Sequence, residues 1–230
     1  MAPPKILLTN DDGWDAPGLA ALKTIASRIG EVWVVAPRDP HSYAGHRVTT
    51  HQPLELTATG DREYHLSGTP ADCVRVALRA LVPGVDWVFS GINRGGNLGV
   101  DIYSSGTVAA AREAAILGTR ALAVSQYLRR GVELDWDQSA ELAAAALARV
   151  LPAACEAKEF WNINLPHLDP GEPAALEECA PDDEPLDVQF RRDEAGVFHY
   201  SGTYQARPRT AGRDVERCLG GAVTISRLRA

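Results

Sequence analysis

The chain has 230 residues and a formal net charge of −7, with 45% hydrophobic and 23% charged residues. This length fits one large α/β domain, or one domain with an appendage, and it allows a sizeable buried core. An acidic chain is poorly suited to bind long nucleic acid, whose phosphates favour a basic surface. No apolar run approaches the ~20 residues that cross a bilayer, and the run after the N-terminal MAPPK is too short for a signal peptide. We therefore expect a protein that stays in the cytoplasm and binds no membrane.

Strand-like and helix-like runs alternate along most of the chain. Strands are predicted at 5–10, 31–37, 85–91, 121–126 and 160–165, and helices at 17–29, 70–82, 105–118 and 137–151. This alternation predicts an α/β fold, in which a doubly wound and mostly parallel sheet carries helices on both faces. Residues 45–67 interrupt the alternation, and we predict that they form an inserted β-hairpin.

The composition changes after Pro166. Residues 167–185 are rich in proline and acidic side chains, which predicts a loop or linker. The later segments LDVQF, VFHYSG and AVTISRL alternate like antiparallel strands. We therefore predict a catalytic core at 1–166 and a C-terminal β appendage at 167–230. Short strands on an extended tail often pair with a neighbouring subunit, so the appendage is a candidate oligomerisation element.

Polar residues cluster where the predicted strands end. The segment NDDG (10–13) follows the first strand, RDPHS (38–42) follows the second, and SGINRGGN (90–97) ends the third. Parallel strands bring their carboxyl ends to one edge of a sheet, and ligands of doubly wound folds bind at that edge. We expect these three loops to meet there.

Asp11 and Asp12 are adjacent carboxylates, and burying both without a counter-charge would raise the pKa of one of them through mutual repulsion. A divalent cation relieves this repulsion, and oxygen ligands from Asp, Ser and Asn suit Mg²⁺, Mn²⁺ or Ca²⁺ better than zinc. A lone Asp-Asp pair is also explained by an aspartate that caps the following helix. Because Ser42 and Asn93 are expected on neighbouring loops, the four residues together favour a metal site.

Ser105, Gly106 and Thr107 open the predicted helix at 105–118. Hydroxyl groups and unpaired backbone N–H groups at a helix N-terminus bind anions such as phosphate. A plain N-cap explains the same three residues, so both interpretations remain open at this point.

Other polar and aromatic residues of the same loops have two interpretations each. His41 and His46 flank Ser42 and are either general acids or solvated loop histidines. Arg94 either binds phosphate through its guanidinium or pairs with a surface carboxylate. Trp14 either stacks on a base or packs over its own loop.

Several long segments, in order, resemble the SurE family of stationary-phase survival proteins. ILLTNDDGWDAPGL resembles the opening pattern ILxTNDDGxxAPGI of that family, and VVAPRDPHS resembles its second-strand segment. The segments SGTPADCV, VFSGINRGGNLGVDIYSSGTVAAAREAAILG, ALAVS and WNINLP follow in the family's order. The resemblance covers roughly residues 5–166, with a weaker match at AVTIS near the C-terminus.

The resemblance implies a Rossmann-like core and a metal-dependent 5′(3′)-nucleotidase that forms dimers or tetramers, partly by exchanging C-terminal segments. It places one divalent ion, Mg²⁺ or Mn²⁺, per subunit on Asp11, Asp12, Ser42 and Asn93. The phosphate-contacting segment of the family falls here on Asn97 and on residues 105–107, namely Ser105, Gly106 and Thr107. The substrate it implies is a nucleoside monophosphate, with 3′-monophosphates and short polyphosphate as further candidates.

This chain departs from the family pattern at two positions beside the expected metal. Tyr43 stands where the family usually has glycine, directly after the metal-binding serine, and Arg47 lies in a segment that usually reads His-Ser-Ile-Thr or His-Ala-Ile-Thr. Both changes are expected to affect substrate fit more than the metal centre.

The residues also allow two other classes of protein. A metal-dependent glycosyltransferase would use an acidic pair to hold Mn²⁺ on a nucleotide-sugar diphosphate, and it would form product only with an acceptor. A non-catalytic nucleotide sensor would be stabilised by nucleotide without releasing phosphate. The order and length of the matching motifs favour hydrolysis, with Asp11 or Asp12 taking the proton of the attacking water.

Overall fold

The computed structural model describes residues 2–169 and 171–230. Its strands are β1 (Lys5–Thr9), β2 (Glu31–Pro37), β3 (Leu56–Gly60), β4 (Glu63–Leu66), β5 (Trp87–Arg94), β6 (Arg120–Gln126), β7 (Glu159–Leu165), β8 (Leu176–Glu178), β9 (Phe190–Arg192), β10 (Phe198–Tyr200) and β11 (Val223–Arg229). Its α-helices are α1 (Pro17–Ala26), α2 (Pro70–Val76), α3 (Gly106–Ile116), α4 (Trp136–Val150) and α5 (Asp214–Leu219). A π-helical turn (Ala77–Leu81) continues α2, and 3₁₀ turns lie at Gly99–Tyr103 and Tyr204–Ala206.

One mixed sheet of nine strands carries the fold, in the order β3-β4-β2-β1-β5-β6-β7-β11-β8. The pairs from β4 through β2, β1, β5 and β6 to β7 are all parallel, whereas β3 and β11 run antiparallel to β4 and β7. The predicted doubly wound and mostly parallel sheet is therefore confirmed. The chain winds outward from β1 to β2 and then returns to β5 on the other side of β1, so β1 and β5 flank the topological switch point.

Two apolar clusters, one on each face of the sheet, hold the helices in place. Successive side chains of a strand point to opposite faces, and in β1 this places Ile6 and Leu8 in the cluster beneath α1 and α4. Leu7 points the other way, into the cluster that contains buried side chains of α2 and α3. A strand buried on both faces must be apolar throughout, which explains the uninterrupted ILL of β1.

The predicted insertion at 45–67 contains an antiparallel hairpin of β3 and β4, although residues 45–55 form no strand, and β4 extends the main sheet by pairing in parallel with β2. The segment predicted as a loop at 167–185 also contains a short strand, β8, which pairs with β11 at the sheet edge. Its three residues are too few to show an alternating pattern in the sequence. The helix α5 was not predicted either.

The C-terminal extension divides between two sheets. Its strands β8 and β11 belong to the main sheet, whereas β9 and β10 form a separate antiparallel hairpin. The division into a core at 1–166 and an extension at 167–230 stays a prediction. Across residues 2–169 and 171–230, none of the helices has the length and the apolar character that a membrane crossing requires.

We predict that Gly18→Ala destabilises the protein. A Cβ atom on Gly18 would lie 2.0 Å from the carbonyl oxygen of Ile92, so α1 would have to move away from β5. Overpacking of this kind costs about 1–3 kcal/mol, whereas helix propensity alone would make alanine more favourable than glycine by up to about 1 kcal/mol. The two effects have opposite signs, so urea unfolding of the variant decides between them, and a gain in stability would contradict the close approach.

Candidate active site

A cavity of about 610 Å³ opens at the carboxyl edge of the sheet, beside the switch point between β1 and β5. Six of the eight residues singled out in the sequence line it, namely Asp11, Asp12, Ser42, Asn93, Asn97 and Ser105. The other two, Gly106 and Thr107, lie directly behind it in the first turn of α3. The fold therefore brings the predicted site residues together.

Asp11 is the most buried carboxylate of the cavity, with 6% of its surface exposed. The Thr107 hydroxyl donates a hydrogen bond of 2.5 Å to Asp11 Oδ1. Burial raises the pKa of Asp11 to about 6, against the hydrogen bond from Thr107, and the neighbouring charge of Asp12 adds to the rise. Asp11 thus carries a charge that the protein alone stabilises poorly, as expected of a group that receives a cation or a proton.

Gly106 lets the N-terminus of α3 approach Asp11. A Cβ atom on Gly106 would lie 2.9 Å from both Cβ and Oδ2 of Asp11, so a larger residue would force the two elements apart. Ser105 caps the helix, and its hydroxyl oxygen accepts the backbone N–H of Val108 at 3.0 Å. This bond confirms the N-cap interpretation and uses one first-turn N–H, whereas the backbone N–H of Gly106, at the start of the helix, stays a candidate anion contact.

Three of the four predicted metal ligands, Asp11, Asp12 and Asn93, each keep one side-chain oxygen that no hydrogen bond within the described residues uses. Asp11 Oδ1 is used by Thr107, and Asp12 Oδ2 accepts the backbone N–H of Arg94 at 2.9 Å, which leaves the second oxygen of each carboxylate. The Asn93 amide nitrogen donates to the Gly95 carbonyl at 2.7 Å, which leaves its Oδ1. A bulge in β5 between Ser90 and Asn93 breaks the register with β6 just before this residue.

The ligand set has hard oxygen atoms and two negative charges, which suits Mg²⁺ or Mn²⁺. Among residues 2–169 and 171–230, no group of three or more His, Cys, Asp or Glu side chains could hold a metal ion. The proposed set is not such a group, because half of it comes from Ser42 and Asn93. This chemistry fits a hard divalent ion and excludes a typical zinc site.

The loop that carries Ser42 is fixed at both ends. The His41 backbone N–H donates to the Asp11 carbonyl at 2.8 Å, and the Gly45 N–H donates to the Ser104 carbonyl at 3.0 Å. His46 Nε2 lies 2.7 Å from the buried Glu113, which also accepts Arg75 Nε at 2.6 Å. His46 is therefore a structural partner of Glu113, and neither a general acid nor a solvated histidine.

Asn97 has a structural contribution as well as a place at the cavity. Its amide nitrogen donates to Ser125 Oγ at 2.6 Å, its backbone N–H donates to Asn164 Oδ1 at 2.7 Å, and Asn162 donates to its carbonyl at 2.9 Å. One of its two amide hydrogens remains for a ligand. These contacts explain why the WNINLP segment carries asparagines on the buried strand β7.

Tyr43, the first departure from the family pattern, lines the cavity and is 88% exposed. Its φ of +57° lies in the left-handed region, which glycine adopts at lower cost than tyrosine. The backbone at position 43 therefore favours the glycine of the family, and tyrosine is strained there. The tyrosine in turn adds an aromatic surface to the cavity. Arg47 lies outside the lining, with its NH2 3.5 Å from His41 Nδ1.

The cavity also contains residues that no pattern in the sequence singled out. Asp101 and Tyr204 form part of its wall, and Leu186, Val188 and Tyr200 form an apolar side. The last four lie in the C-terminal extension, far from the motifs in the chain. Asp101 lies within a motif segment, but only its partners in that distant extension identify it as a site residue.

A doubly wound sheet with a paired carboxylate and a helix N-terminus at its switch point defines an α/β protein that binds a small anionic ligand at that edge. The chain belongs to the SurE family, because the model of the family described as Survival protein SurE matches residues 6–183. A Nostoc sp. protein, named as a candidate 5′-nucleotidase, is 47% identical over 225 residues, which cover 97% of this chain and 99% of the relative.

A second relative and a solved structure agree with this membership. The protein named 5′-nucleotidase SurE from Rhodospirillum rubrum is 39% identical over 233 residues, covering 97% of this chain and 89% of that one. The crystal structure of the SurE protein from Aquifex aeolicus superposes with a TM-score of 0.87 at 31% identity, covering 98% of this chain and 93% of the other.

We predict that Asp11→Asn stabilises the metal-free protein at neutral pH. At pH 3 the carboxyl is protonated in both the folded and the unfolded state. Its titration then contributes little to the free energy of unfolding. Between the ordinary aspartate pKa of 3.8 and about 6 the unfolded chain loses its proton first, and above about pH 6 the folded state carries a buried charge. The cost of that charge, about 2–3 kcal/mol, is then fully present.

The measurement is urea unfolding in EDTA, with wild type and Asp11→Asn compared at pH 3.5 and pH 7.5. The variant should exceed wild type by about 2 kcal/mol at pH 7.5, and the difference should shrink toward zero at pH 3.5. A variant that is less stable than wild type at pH 7.5 would show that Asp11 is not strained by its burial.

Proposed function

We propose that this protein is a 5′-nucleotidase, a phosphomonoesterase that hydrolyses nucleoside 5′-monophosphates to nucleoside and phosphate. The observation that carries the proposal is the single cavity that joins the Asp11-Asp12 pair to the N-terminus of α3. The names of the relatives from Rhodospirillum rubrum and Allorhizobium ampelinum, both 5′-nucleotidase SurE, support the same reaction. 3′-Monophosphates and short polyphosphate are further candidate substrates. The cytoplasm stays the expected location.

One divalent ion per subunit, Mg²⁺ or Mn²⁺, is part of this proposal. Asp11, Asp12 and Asn93 would hold it through the oxygen atoms that their hydrogen bonds leave over, and Ser42 through its hydroxyl. When bound, such an ion neutralises phosphate charge and lowers the pKa of water.

The residues of the chain perform the remaining steps of the proposed reaction. Backbone N–H and hydroxyl groups at residues 105–107 bind the non-bridging phosphate oxygens and stabilise the charge that develops on them. Asp11 or Asp12 accepts the proton of the attacking water. We favour direct attack by water over a phospho-aspartate, because two ligating carboxylates have little freedom to act as nucleophiles.

The test is phosphate release from the nucleoside 5′- and 3′-monophosphates of all common bases, with Mg²⁺, with Mn²⁺ and with EDTA. Wild type should release phosphate only with a divalent ion, and Asp11→Asn should lose about 10³-fold or more in kcat/KM while it stays folded. Asp183→Asn is the matched control, because this exposed carboxylate lies outside the cavity.

The alternatives give different results in the same assay. A glycosyltransferase would release no phosphate from monophosphates, and a sensor would show nucleotide-dependent thermal stabilisation without release. No release by folded protein with either metal would refute the nucleotidase proposal.

We propose further that the protein forms a homodimer or homotetramer through its C-terminal extension, with exchange of C-terminal segments as one route. The hairpin of β9 and β10 supports this, because Val188, Phe190, Val197, Phe198 and Tyr200 on or beside it are all more than half exposed. Exposed apolar side chains concentrated on one short hairpin are typical of a surface that a partner covers.

Light scattering after size-exclusion chromatography tests the assembly. Phe198→Glu should shift the mass toward that of the monomer, because it places a charge in the apolar patch, whereas Val132→Glu on an exposed loop should not. A monomeric wild type would contradict the proposal, and an unchanged oligomer in Phe198→Glu would exclude the hairpin as the interface.

A further inference from the structure

Glu113 is a buried carboxylate that takes no part in the proposed reaction. It lies in α3, is 1% exposed, and is not among the described residues that line the active-site cavity. Each of its oxygens has one partner, because Oε2 lies 2.7 Å from His46 Nε2 and Oε1 accepts Arg75 Nε at 2.6 Å. A carboxylate that is buried this deeply depends on such partners, since an unpaired charge in the interior is strongly destabilising.

The two partners of Glu113 belong to different kinds of structure. Arg75 lies in the last turn of α2, where the backbone hydrogen bonds of the helix already fix its position. His46 lies in the segment 38–55, which the structure describes throughout and which contains neither a helix nor a strand. The contact between His46 and Glu113 therefore helps to fix a loop that lacks the regular hydrogen bonds of a helix or a strand.

The helix α3 contacts the segments that carry two of the predicted metal ligands. Its first turn binds Asp11 through the Thr107 hydroxyl. Glu113 lies about two turns further along the helix and binds the loop of Ser42 through His46. Because a helix is a rigid element, these two contacts hold Asp11 and the Ser42 loop in a fixed relation to each other.

The turn at Ser42 has a strained backbone and depends on contacts on both sides. Tyr43, directly after Ser42, has a φ of +57°, which is unfavourable for a bulky residue. Conformations of this kind persist where the surrounding contacts enforce them. One such contact precedes Ser42, at the His41 backbone N–H, and another follows it, at the His46 ring. A loop released at His46 could relax its strain, and Ser42 would move with it.

We propose that Glu113, acting through His46, is a positioning residue that holds Ser42 where it can bind the divalent ion, and that this contact sets the metal affinity of the site. The inference rests on the metal site of the proposed function. With the contact in place, the Ser42 hydroxyl is positioned before the ion arrives. Without it, ion binding must also order the loop, and the entropic cost of that ordering lowers the affinity.

The first experiment measures Mn²⁺ binding in the absence of substrate. Metal-free wild type and His46→Leu are titrated with Mn²⁺, and the EPR signal of the free ion gives the dissociation constant. We expect this constant to rise about tenfold in His46→Leu, as it does when other contacts that orient a metal ligand are removed. An unchanged dissociation constant would overturn the proposal.

Arg75→Leu is the matched control, because it removes the other partner of Glu113 and introduces the same side chain. Each variant leaves the buried carboxylate with one partner, so urea unfolding should show a loss of stability in both. Only His46→Leu should weaken Mn²⁺ binding. Equal weakening in the two variants would show that the metal affinity follows general stability around Glu113, and this result would contradict a positioning role.

A double-mutant cycle assigns the effect to Ser42. Ser42→Ala removes the proposed ligand, so Mn²⁺ binding should weaken and should then no longer respond to His46→Leu. If the effects of the two substitutions are additive, His46 acts on another part of the site and the assignment to Ser42 is wrong.

Phosphate release from adenosine 5′-monophosphate separates metal binding from the chemical step. His46→Leu should need more Mn²⁺ for half-maximal release, whereas kcat at saturating Mn²⁺ should stay near the wild-type value, because the bound ion restores the position of the loop. A kcat that stays low at saturating Mn²⁺ would count against the proposal.

The metal site and the positioning role fail in different ways. Absence of Mn²⁺ binding by wild type would refute the proposed metal site, whereas equal binding by wild type and His46→Leu would refute only the role of Glu113 and His46. If His46→Leu does not fold, His46→Asn replaces it, because asparagine is polar but too short to reach Glu113. The same rise in the dissociation constant is expected, and its absence would again overturn the proposal.

Discussion

The contact between Asp11 and the N-terminus of α3 is the constraint on which the rest of the site depends. The carboxylate follows the central strand β1, is almost fully buried, and accepts the Thr107 hydroxyl from the first turn of α3. Only glycine at position 106 allows this approach. The same contact holds the acidic pair beside the first turn of α3, where the proposed cation and phosphate would meet.

A buried charge of this kind needs rigid surroundings, and the neighbouring loops supply them through hydrogen bonds to the sheet, to α3 and to each other. The Ser42 loop is attached to Asp11 and Ser104 through its backbone, and His46 joins it to the buried Glu113. The loop around Asn97 is attached to β6 and β7 through Ser125 and Asn164. These contacts position the proposed metal- and phosphate-binding side chains in advance. The entropic cost of ordering those side chains is therefore met when the chain folds, and not when a ligand binds.

The C-terminal extension completes the cavity as well as the sheet. Its strands β8 and β11 close the edge beyond β7, and Tyr204 and Arg207 bind Asp101 in the cavity wall. The exposed hairpin of β9 and β10 lies next to the apolar wall, since Tyr200 belongs to both. Substrate binding and subunit contact are therefore expected to involve the same short segment of the chain.

The sequence by itself determined most of the strands and helices, the parallel sheet, the family and the eight candidate site residues, because local periodicity and contiguous motifs carry that information. Asp11 and Asp12 are recognisable since they end an apolar strand, and Ser105 since it opens a helix. The tertiary structure alone decided that His46 pairs with Glu113, that Leu176–Glu178 forms a strand, and that Asp101 meets Tyr204 and Arg207. Each of these depends on residues tens of positions apart, which only folding brings into contact, and no local pattern records such a pairing.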